Sequence, residues 1–386
     1  MKAFITAVSA FLPGKPVGNG ALEAYLGKVD KISARTRQII LSNNGIKTRH
    51  YALDPKTGTT THTNAQLAAE AVRRLKPAGR EPSGRAMGCL CCGTSSPDQL
   101  MPGHASMVHG ELGIEPQCEV VSTTGICLSG ITAMKYGAMA VALDLAECAV
   151  ATGSELASTF MQRQFFQAMN GSADQPEKED PHPAFSFEAD FLRWMLSDGA
   201  GAVRIEKEPA TAGPSLRIDW MEIISHAHRL EACMYAGAVK QPDGSLRGWR
   251  EYARDGEAIE SGVFTVKQDA RLLNREVIRA LVGQSLPAVA AKHGLTSGDI
   301  DWFLPHYSSQ YFKEPLRQQL QETGFSIPEE RWFTNLATKG NTGSASFYII
   351  LEELFSSGRL RAGERILGFI PESGRFSVGW ILLTVV

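Results

Sequence analysis

The chain has no long apolar run and almost no charge imbalance, and each absence excludes a class of protein. None of its segments approaches the roughly 18 consecutive apolar residues that a membrane-spanning helix needs. The 39 lysines and arginines nearly balance the 41 aspartates and glutamates, which leaves a formal net charge of −2. We therefore expect neither a membrane nor a nucleic-acid partner, and an acidic partner would have to bind a local basic patch.

The cysteines do not form the pattern of a disulfide framework or of a zinc site. Their number, seven, is odd, and most of them lie in apolar runs, unlike the paired cysteines of a small secreted scaffold. Cys89, Cys91 and Cys92 are close together, but their spacing fits no zinc pattern and no second Cys/His pair follows. We expect no metal and no cofactor.

The N-terminal segment 1–12 has the apolar character of a short signal peptide. Its apolar run is short, however, and Pro13-Gly14-Lys15-Pro16 follows without a small-residue cleavage site. We interpret the segment as a first β-strand that ends in a turn, and we expect a soluble, cytoplasmic protein.

Helix and strand patterns alternate along the chain in two halves of similar order. The predicted strands cover 86–93, 119–123, 148–153, 196–203, 301–305, 365–370 and 376–386, and the predicted helices cover 64–75, 128–145, 270–293 and 344–357. This alternation predicts an α/β sheet packed by helices. The repeated order suggests an internal duplication, with halves at 1–212 and 213–386. The polar, proline-containing segment 171–183 predicts a loop.

Cys127 lies where the predicted strand 119–123 gives way to the predicted helix 128–145, which is apolar nearly all round. Unpaired amide N–H groups at a helix N-terminus favour a thiolate over a thiol. The thiolate is the reactive species, so this placement suits a nucleophile. The alternative is an inert buried cysteine, and the segment alone leaves both interpretations open.

His306 and Asn341 supply polar groups that could act with Cys127. His306 follows the predicted strand 301–305, and the carboxyl ends of strands are where α/β sheets usually carry chemistry. Asn341 lies in a loop of small residues that leads into the helix 344–357. Their ordinary alternatives are a satisfied core histidine and a turn or cap residue. Together the three residues provide a nucleophile, an imidazole and an amide N–H donor, which suffice for acyl transfer through a thioester.

The order of these motifs resembles the ketoacyl-ACP synthase III group of the thiolase superfamily nearly end to end. The segments that carry the resemblance include Thr94-Ser95-Ser96-Pro97-Asp98, the Cys127 segment, 197–202, Pro305-His306 and 341–346. The resemblance implies a thiolase-like five-layered α/β/α/β/α fold from two duplicated halves, and a homodimer. It also implies a Cys127–His306–Asn341 triad. Cys127 would take an acyl group from a CoA or carrier-protein thioester, while His306 and Asn341 hold the carbonyl of a second thioester.

The chain departs from that family pattern at two places. Tyr307-Ser308-Ser309 follows the histidine, where the family usually has Gln-Ala-Asn. The segment 371–377 replaces the family's run of glycines, so the backbone N–H of Gly374 or Arg375 is the expected oxyanion donor. Arg375 falls on a family glycine, and its side chain either turns to solvent or holds a β-keto oxygen or carboxylate.

These departures, with the segment 191–198, resemble the ketosynthase/cyclases of dialkylresorcinol and stilbene biosynthesis. The resemblance implies an acyltransferase of the condensing type that joins an acyl group on Cys127 to a second (β-keto)acyl thioester and closes a cyclohexanedione carboxylate. One alternative is a priming enzyme that condenses a short acyl-CoA with malonyl-ACP, and another is an acyltransferase that has lost condensation. A scaffold without chemistry would not need the retained Cys, His and Asn, and nothing beyond the nucleophile and the histidine favours a cysteine hydrolase.

Five further residues are candidates for substrate or partner binding. Glu155 follows a predicted strand and could hold a substrate proton or point outward. Met101 matches the position from which the family reaches across the dimer into the partner's acyl pocket, although ordinary interface packing is also compatible with methionine. Lys267, Arg271 and Arg275 are spaced four residues apart, which places them on one helical face where an acidic acyl carrier protein could dock. A solvated helical face is the commoner explanation of such a stripe.

Overall fold

The computed structural model describes residues 2–28, 34–76, 86–113, 117–163, 191–254 and 262–386. The loop predicted at 171–183 lies outside the described residues. Within these ranges, every helix is too short or too polar to cross a lipid bilayer.

A nine-stranded mixed sheet forms the core. Its strands are β1 (Phe4–Phe11), β4 (Cys89–Gly93), β5 (Glu119–Thr123), β6 (Cys148–Glu155), β7 (Gly199–Glu206), β8 (Leu216–Ser225), β13 (Trp302–Pro305), β14 (Arg365–Glu372) and β15 (Ser377–Val385). Three two-stranded pairs lie outside it and are formed by β2 (Val17–Gly18), β3 (Thr48–Arg49), β9 (Met234–Tyr235), β10 (Ala238–Lys240), β11 (Leu246–Gly248) and β12 (Lys267–Gln268). The order across the large sheet is β13-β14-β15-β8-β1-β7-β6-β4-β5.

The α-helices pack on and between these strands. They are α1 (Leu22–Leu26), α2 (Ala34–Asn44), α3 (Asn64–Arg73), α4 (His104–Leu112), α5 (Ser129–Ala142), α6 (Trp249–Arg254), α7 (Ala270–Ile278), α8 (Leu286–His293), α9 (Lys313–Glu322), α10 (Leu336–Lys339) and α11 (Ser346–Ser356). The helices α5 and α11 share one apolar core with strands of both halves, including β7 and β15.

The same strand pattern occurs in both halves of the sheet. In the first half, β4 pairs in parallel with β5 and β6, and β7 pairs antiparallel with β6 and β1. In the second half, β13 pairs in parallel with β14, and β15 pairs antiparallel with β14 and β8. Beside β13, a parallel bridge joins Phe303 to Trp332. In the second half, Trp332 thus takes the position that β5 has beside β4 in the first half. The predicted duplication in an α/β fold is therefore observed, whereas the boundary at 212/213, which falls between β7 and β8, stays a prediction.

The two halves meet where three glycines let main chain and side chain approach closely. A Cβ on Gly130 or Gly153 would overlap the Ser344 carbonyl oxygen, and one on Gly201 would overlap the Tyr348 side chain. The Tyr348 hydroxyl donates to the Gly130 carbonyl at 2.7 Å. This joint fixes the start of α11, and with it the preceding loop that carries Asn341.

The long helix predicted at 270–293 is interrupted. A π-helical segment, Arg279–Gln284, separates α7 from α8. The cause is Pro287, which has no N–H to donate and whose ring crowds the carbonyl four residues earlier. The Ser285 hydroxyl donates to the Leu281 carbonyl at 2.6 Å and so compensates for part of the broken ladder.

Candidate active site

A cavity of about 230 Å³ brings together the three residues that the sequence predicts as a triad. Cys127, His306 and Asn341 all contribute to its lining. They reach it from three elements: the turn before α5, the end of β13 and the loop before α11. Both halves of the chain therefore contribute to one site.

Cys127 lies in a 3₁₀ turn, Ile126–Leu128, that precedes α5. Burial raises the pKa of its thiol, and the charges of Glu155 and Glu372 raise it further. The expectation of a thiolate is therefore not met in the resting protein, because desolvation and two nearby carboxylates raise the pKa of the thiol. Cys127 is a thiol at neutral pH and must lose its proton as it attacks.

His306 is buried directly after β13, and its backbone N–H donates to the Phe369 carbonyl at 2.8 Å. Burial lowers the pKa of its imidazole to about 4. The ring is consequently neutral at pH 7, with one nitrogen that donates and one that accepts. A neutral donor of this kind suits the stabilisation of an enolate oxygen.

Asn341 is held on both sides of its backbone. Its N–H donates to the Met195 carbonyl at 2.9 Å, and its carbonyl accepts from the Ser197 N–H at 2.8 Å. The side-chain oxygen Oδ1 accepts from the Gly343 N–H at 3.0 Å. Since an N–H donor can face only the oxygen of the amide, Nδ2 is left as the donor available to a ligand.

Glu155, at the end of β6, also lines the cavity. Its carboxylate accepts from the hydroxyls of Ser95, at 2.8 Å, and Ser96, and from the Ser344 N–H at 3.2 Å. Burial raises the pKa of the Glu155 carboxyl. The side chain thus points inward and connects the first half of the chain to the loop that carries Asn341.

The expected oxyanion donors are already engaged. The backbone N–H groups of Gly374 and Arg375 both donate to Oε1 of Glu372, the latter at 3.3 Å. The Arg375 side chain is exposed and its Nε donates to the Leu230 carbonyl at 2.9 Å, so the outward alternative is the one observed. Glu372 is not among the residues that the sequence indicates for the site, although a charged residue within the run that replaces the family's glycines is a signal for it.

Neither Lys267 nor Met101, two of the predicted partner-binding residues, lines the cavity. Lys267 is not on a helix: it lies in β12, is buried, and donates from Nζ to the Gly262 carbonyl at 2.7 Å. The helix begins only at Ala270 because the Asp269 side chain caps it by accepting from the Leu272 N–H. The prediction that Lys267 shares one exposed helical face with Arg271 and Arg275 is therefore wrong, whereas Arg271 and Arg275 are exposed on the helix. Met101 is 83% exposed and lies outside the cavity lining.

The remaining wall of the cavity is mostly apolar. It is formed by Phe160, Met161, Leu192, Met195, Leu196, Met234, Val266, Leu273, Val277, Ile278, Phe312 and Phe369. Such a lining favours an alkyl chain over a polar substrate. In the described part of the chain, no group of three or more His, Cys, Asp or Glu side chains is placed to hold a metal ion.

Comparison with known proteins shows which enzymes this chain resembles. Residues 290–371 match the family model for the C-terminal part of 3-oxoacyl-[acyl-carrier-protein] synthase III. The chain is 26% identical to beta-ketoacyl-[acyl-carrier-protein] synthase III 2 of Deinococcus radiodurans, over 94% of this chain and 89% of that protein. It is 24% identical to the synthase III of Hyphomonas neptunium, over 95% and 94% of the two chains. The chain is thus similar to ketoacyl synthase III enzymes over most of its length.

Three solved structures share the fold along nearly the whole chain. A variant of OleA from Xanthomonas campestris superimposes with a TM-score of 0.75 and 20% identity, covering 100% of this chain and 98% of that one. AbyA1, a tetronic acid condensing enzyme, gives 0.73 and 20%, covering 99% of each chain. The synthase III of Thermus thermophilus gives 0.69 and 21%, covering 98% of each. The predicted thiolase-like fold is confirmed.

Proposed function

We propose that this ketoacyl synthase III-like protein is a condensing enzyme that forms an acyl thioester on Cys127 and joins it to a second (β-keto)acyl thioester. The observation that carries the proposal is one apolar cavity whose lining holds a thiol, a neutral imidazole and an oriented amide donor. Acyl transfer with carbon–carbon bond formation needs these groups together.

In the first half-reaction, the Cys127 sulfur attacks the carbonyl carbon of an acyl-CoA or acyl-carrier thioester. The thiol proton is transferred in the same exchange to the departing CoA or carrier thiolate. The products are acyl-Cys127 and the free thiol, so atoms and charge balance. The apolar wall receives the alkyl part of the acyl group.

In the second half-reaction, a carbanion forms next to the carbonyl of the second thioester. The enolate oxygen accepts hydrogen bonds from a ring N–H of His306 and from Nδ2 of Asn341. Both donors are already oriented by the fold and lie away from bulk water. The carbanion attacks the acyl carbon, and Cys127 leaves as a thiolate. When the group on Cys127 is a 2-enoyl group, the carbon on the far side of the keto group of the second substrate then adds to the enoyl double bond, which closes a cyclohexanedione ring without a leaving group. Hydrolysis of the remaining thioester by water releases the CoA or carrier thiol and gives the cyclohexanedione carboxylate, a precursor of dialkylresorcinol-type products.

The priming reaction, in which a short acyl-CoA condenses with malonyl-ACP, is the second candidate because curated relatives carry that synthase name. The two reactions differ in how the carbanion arises: loss of CO₂ generates it from malonyl-ACP, whereas a β-ketoacyl thioester must lose a proton.

Incubation with β-ketoacyl and 2-enoyl thioesters, in competition with malonyl-ACP, decides between them. Mass spectrometry should first show one acyl group on Cys127 in the wild type and none in Cys127→Ala. A cyclohexanedione product then supports the cyclising enzyme. Simple chain extension with release of CO₂ contradicts it, and absence of acyl-Cys127 contradicts both.

The proposal includes two macromolecular contacts. An acyl carrier protein, which is acidic, would dock near the exposed guanidinium groups of Arg271 and Arg275. A second copy of the chain would pair along β5, which is the edge strand of the large sheet. Leu100 and Met101, 73% and 83% exposed, are apolar side chains that a partner subunit would cover.

A further inference from the structure

Glu372 is a buried carboxylate in the segment 371–377 that replaces the family's run of glycines. It ends β14, and its side chain folds back over the turn that follows. The carboxylate accepts three backbone N–H groups of that turn and of the next strand, from Gly374, from Arg375 at 3.3 Å and from Ser377 at 3.1 Å.

The backbone of this turn is fixed from the other side. The Gly374 carbonyl accepts from the N–H groups of Cys233, at 2.7 Å, and Met234, at 3.3 Å, and the Phe376 carbonyl accepts from the His226 N–H at 2.8 Å. Phe376 has a positive φ of 60°, which a bulky residue adopts only under strong constraint. The direction of the Gly374 N–H is therefore set by the fold, whereas the Glu372 side chain is held only by hydrogen bonds.

The turn packs directly against the turn of the nucleophile. A Cβ built on Gly374 would lie 2.6 Å from Cδ1 of Ile126, the residue before Cys127. A Cβ on Gly379 would lie 2.7 Å from Cδ1 of Leu128, the residue after it. Both neighbours of Cys127 thus contact the hairpin of β14 and β15, and the charge of Glu372 acts on the Cys127 thiol.

We propose that Glu372 is a positioning residue that occupies the Gly374 N–H in the resting protein and yields it to the thioester carbonyl when Cys127 is acylated. The inference rests on the proposed function, because it assigns this N–H to the oxyanion that forms at Cys127. A carboxylate is a stronger acceptor than a neutral carbonyl. The exchange is therefore easiest after Glu372 has taken a proton from a solvent hydronium ion, which becomes water as an O–H bond forms on the carboxyl.

The groups around Glu372 are compatible with such a protonation. Burial raises the pKa of the Glu372 carboxyl, and burial lowers the pKa of both His226 and His306. The Arg375 guanidinium points away toward Leu230. The titratable and charged side chains on the elements packed against the turn are Cys127, His226, His228, Arg229, Glu231, Cys233, Tyr235, Lys267, Asp269, His306 and Arg375. Lys267 donates to the Gly262 carbonyl.

The test compares acylation with alkylation of the same thiol. Wild type, Glu372→Gln and Glu372→Ala are mixed with an octanoyl-CoA probe from pH 5 to pH 9, and acyl-Cys127 is followed by intact mass. Alkylation by iodoacetamide is measured in parallel, because it reports thiolate formation and needs no oxyanion donor. At pH 8 we expect the acylation rate of Glu372→Gln to rise about tenfold beyond its gain in alkylation, and Glu372→Ala to gain at least as much. The excess should shrink as the pH falls and the wild-type Glu372 carboxyl takes up its proton.

Glu155→Gln is the matched control, because it removes the other carboxylate that acts on Cys127 and leaves Gly374 untouched. Its gains in acylation and alkylation should be equal. If Glu372→Gln and Glu372→Ala remain folded by circular dichroism and show no excess acylation, the inference is overturned alone. If no variant forms acyl-Cys127, the proposed function is overturned with it.

Discussion

Replacement of His306 by alanine should separate the two half-reactions. The imidazole has no assigned part in the attack of Cys127 on the first thioester, but it is one of two donors to the enolate of the second. We therefore expect condensation to lose much more rate than acylation.

The structure gives the size of both effects. Burial lowers the pKa of His306 from 6.5 to about 4, which favours the neutral ring by about 3 kcal/mol. The ring is therefore a neutral donor throughout the range from pH 5.5 to 8. Loss of one preorganised donor to an oxyanion costs about 10²–10³ in rate, or ~2.7–4 kcal/mol. Acylation should change by less than about tenfold on the same scale.

The assay is a single-turnover experiment. Acyl-Cys127 is prepared first, the second thioester is then added, and product is measured by mass spectrometry, while acylation is timed separately. Replacement of His306 by asparagine restores a side-chain N–H and should recover part of the condensation rate. Equal loss in the two half-reactions, or a wild-type condensation rate with an inflection at the ordinary histidine pKa, would show that this division of labour is wrong.

The low pKa also predicts how stability depends on pH. The folded protein binds a proton at His306 less readily than the unfolded chain does, so the contribution of neutral His306 to the free energy of unfolding is present above pH 6.5 and is lost as pH falls toward 4. When the free energy of unfolding is measured with denaturant across this pH range, His306→Asn should flatten its dependence on pH. An unchanged slope would contradict the low pKa. Replacement of Arg271 and Arg275 by glutamate should raise KM for a carrier-bound thioester and not for a small thioester analogue. Lys267→Met, at a buried position, is the control and should leave both KM values unchanged. Equal effects of the charge reversal on both substrates would rule out docking at these arginines. Gly153→Ala should lower the free energy of unfolding by about 1–3 kcal/mol, because its Cβ would overlap the Ser344 carbonyl. Gly110→Ala should raise the free energy of unfolding by about 0.5–1 kcal/mol, because Gly110 lies at an exposed helix position where a Cβ meets nothing within 4 Å. Similar changes in both variants would show that Gly153 is not needed for the close approach of the two halves.

The parts of the fold that depend on local pattern could be predicted from the sequence. The strand before Cys127, the strand before His306 and the small-residue loop at Asn341 are all where periodicity and composition placed them, and they meet at one cavity. What failed depends on single residues or on long-range packing. Asp269 ends the extended segment that contains Lys267, and Pro287 breaks the helix that follows.

The electrostatics of the site could not be derived from sequence distance. The pKa of Cys127 depends on Glu155 and Glu372, which are 28 and 245 residues away along the chain and adjacent to it only in the folded protein. Likewise, the donor at Gly374 is engaged by a side chain two residues earlier. Such a local contact is decided by the rotamer of Glu372, which no sequence pattern specifies.

The three methionines in the cavity wall have a consequence for substrate range. Met161 and Met195 are fully enclosed, and Met234 is half-buried and next to two further lining residues, Tyr235 and Ala236. Unbranched thioether side chains change rotamer at little cost, so the wall can adjust to alkyl groups of different length while the backbone stays in place. The thioether sulfur of methionine can also be oxidised by peroxide, and the resulting sulfoxide would put a polar group where the alkyl chain binds. Tolerance of several chain lengths and sensitivity to oxidation should therefore be lost together when these methionines are replaced by leucine.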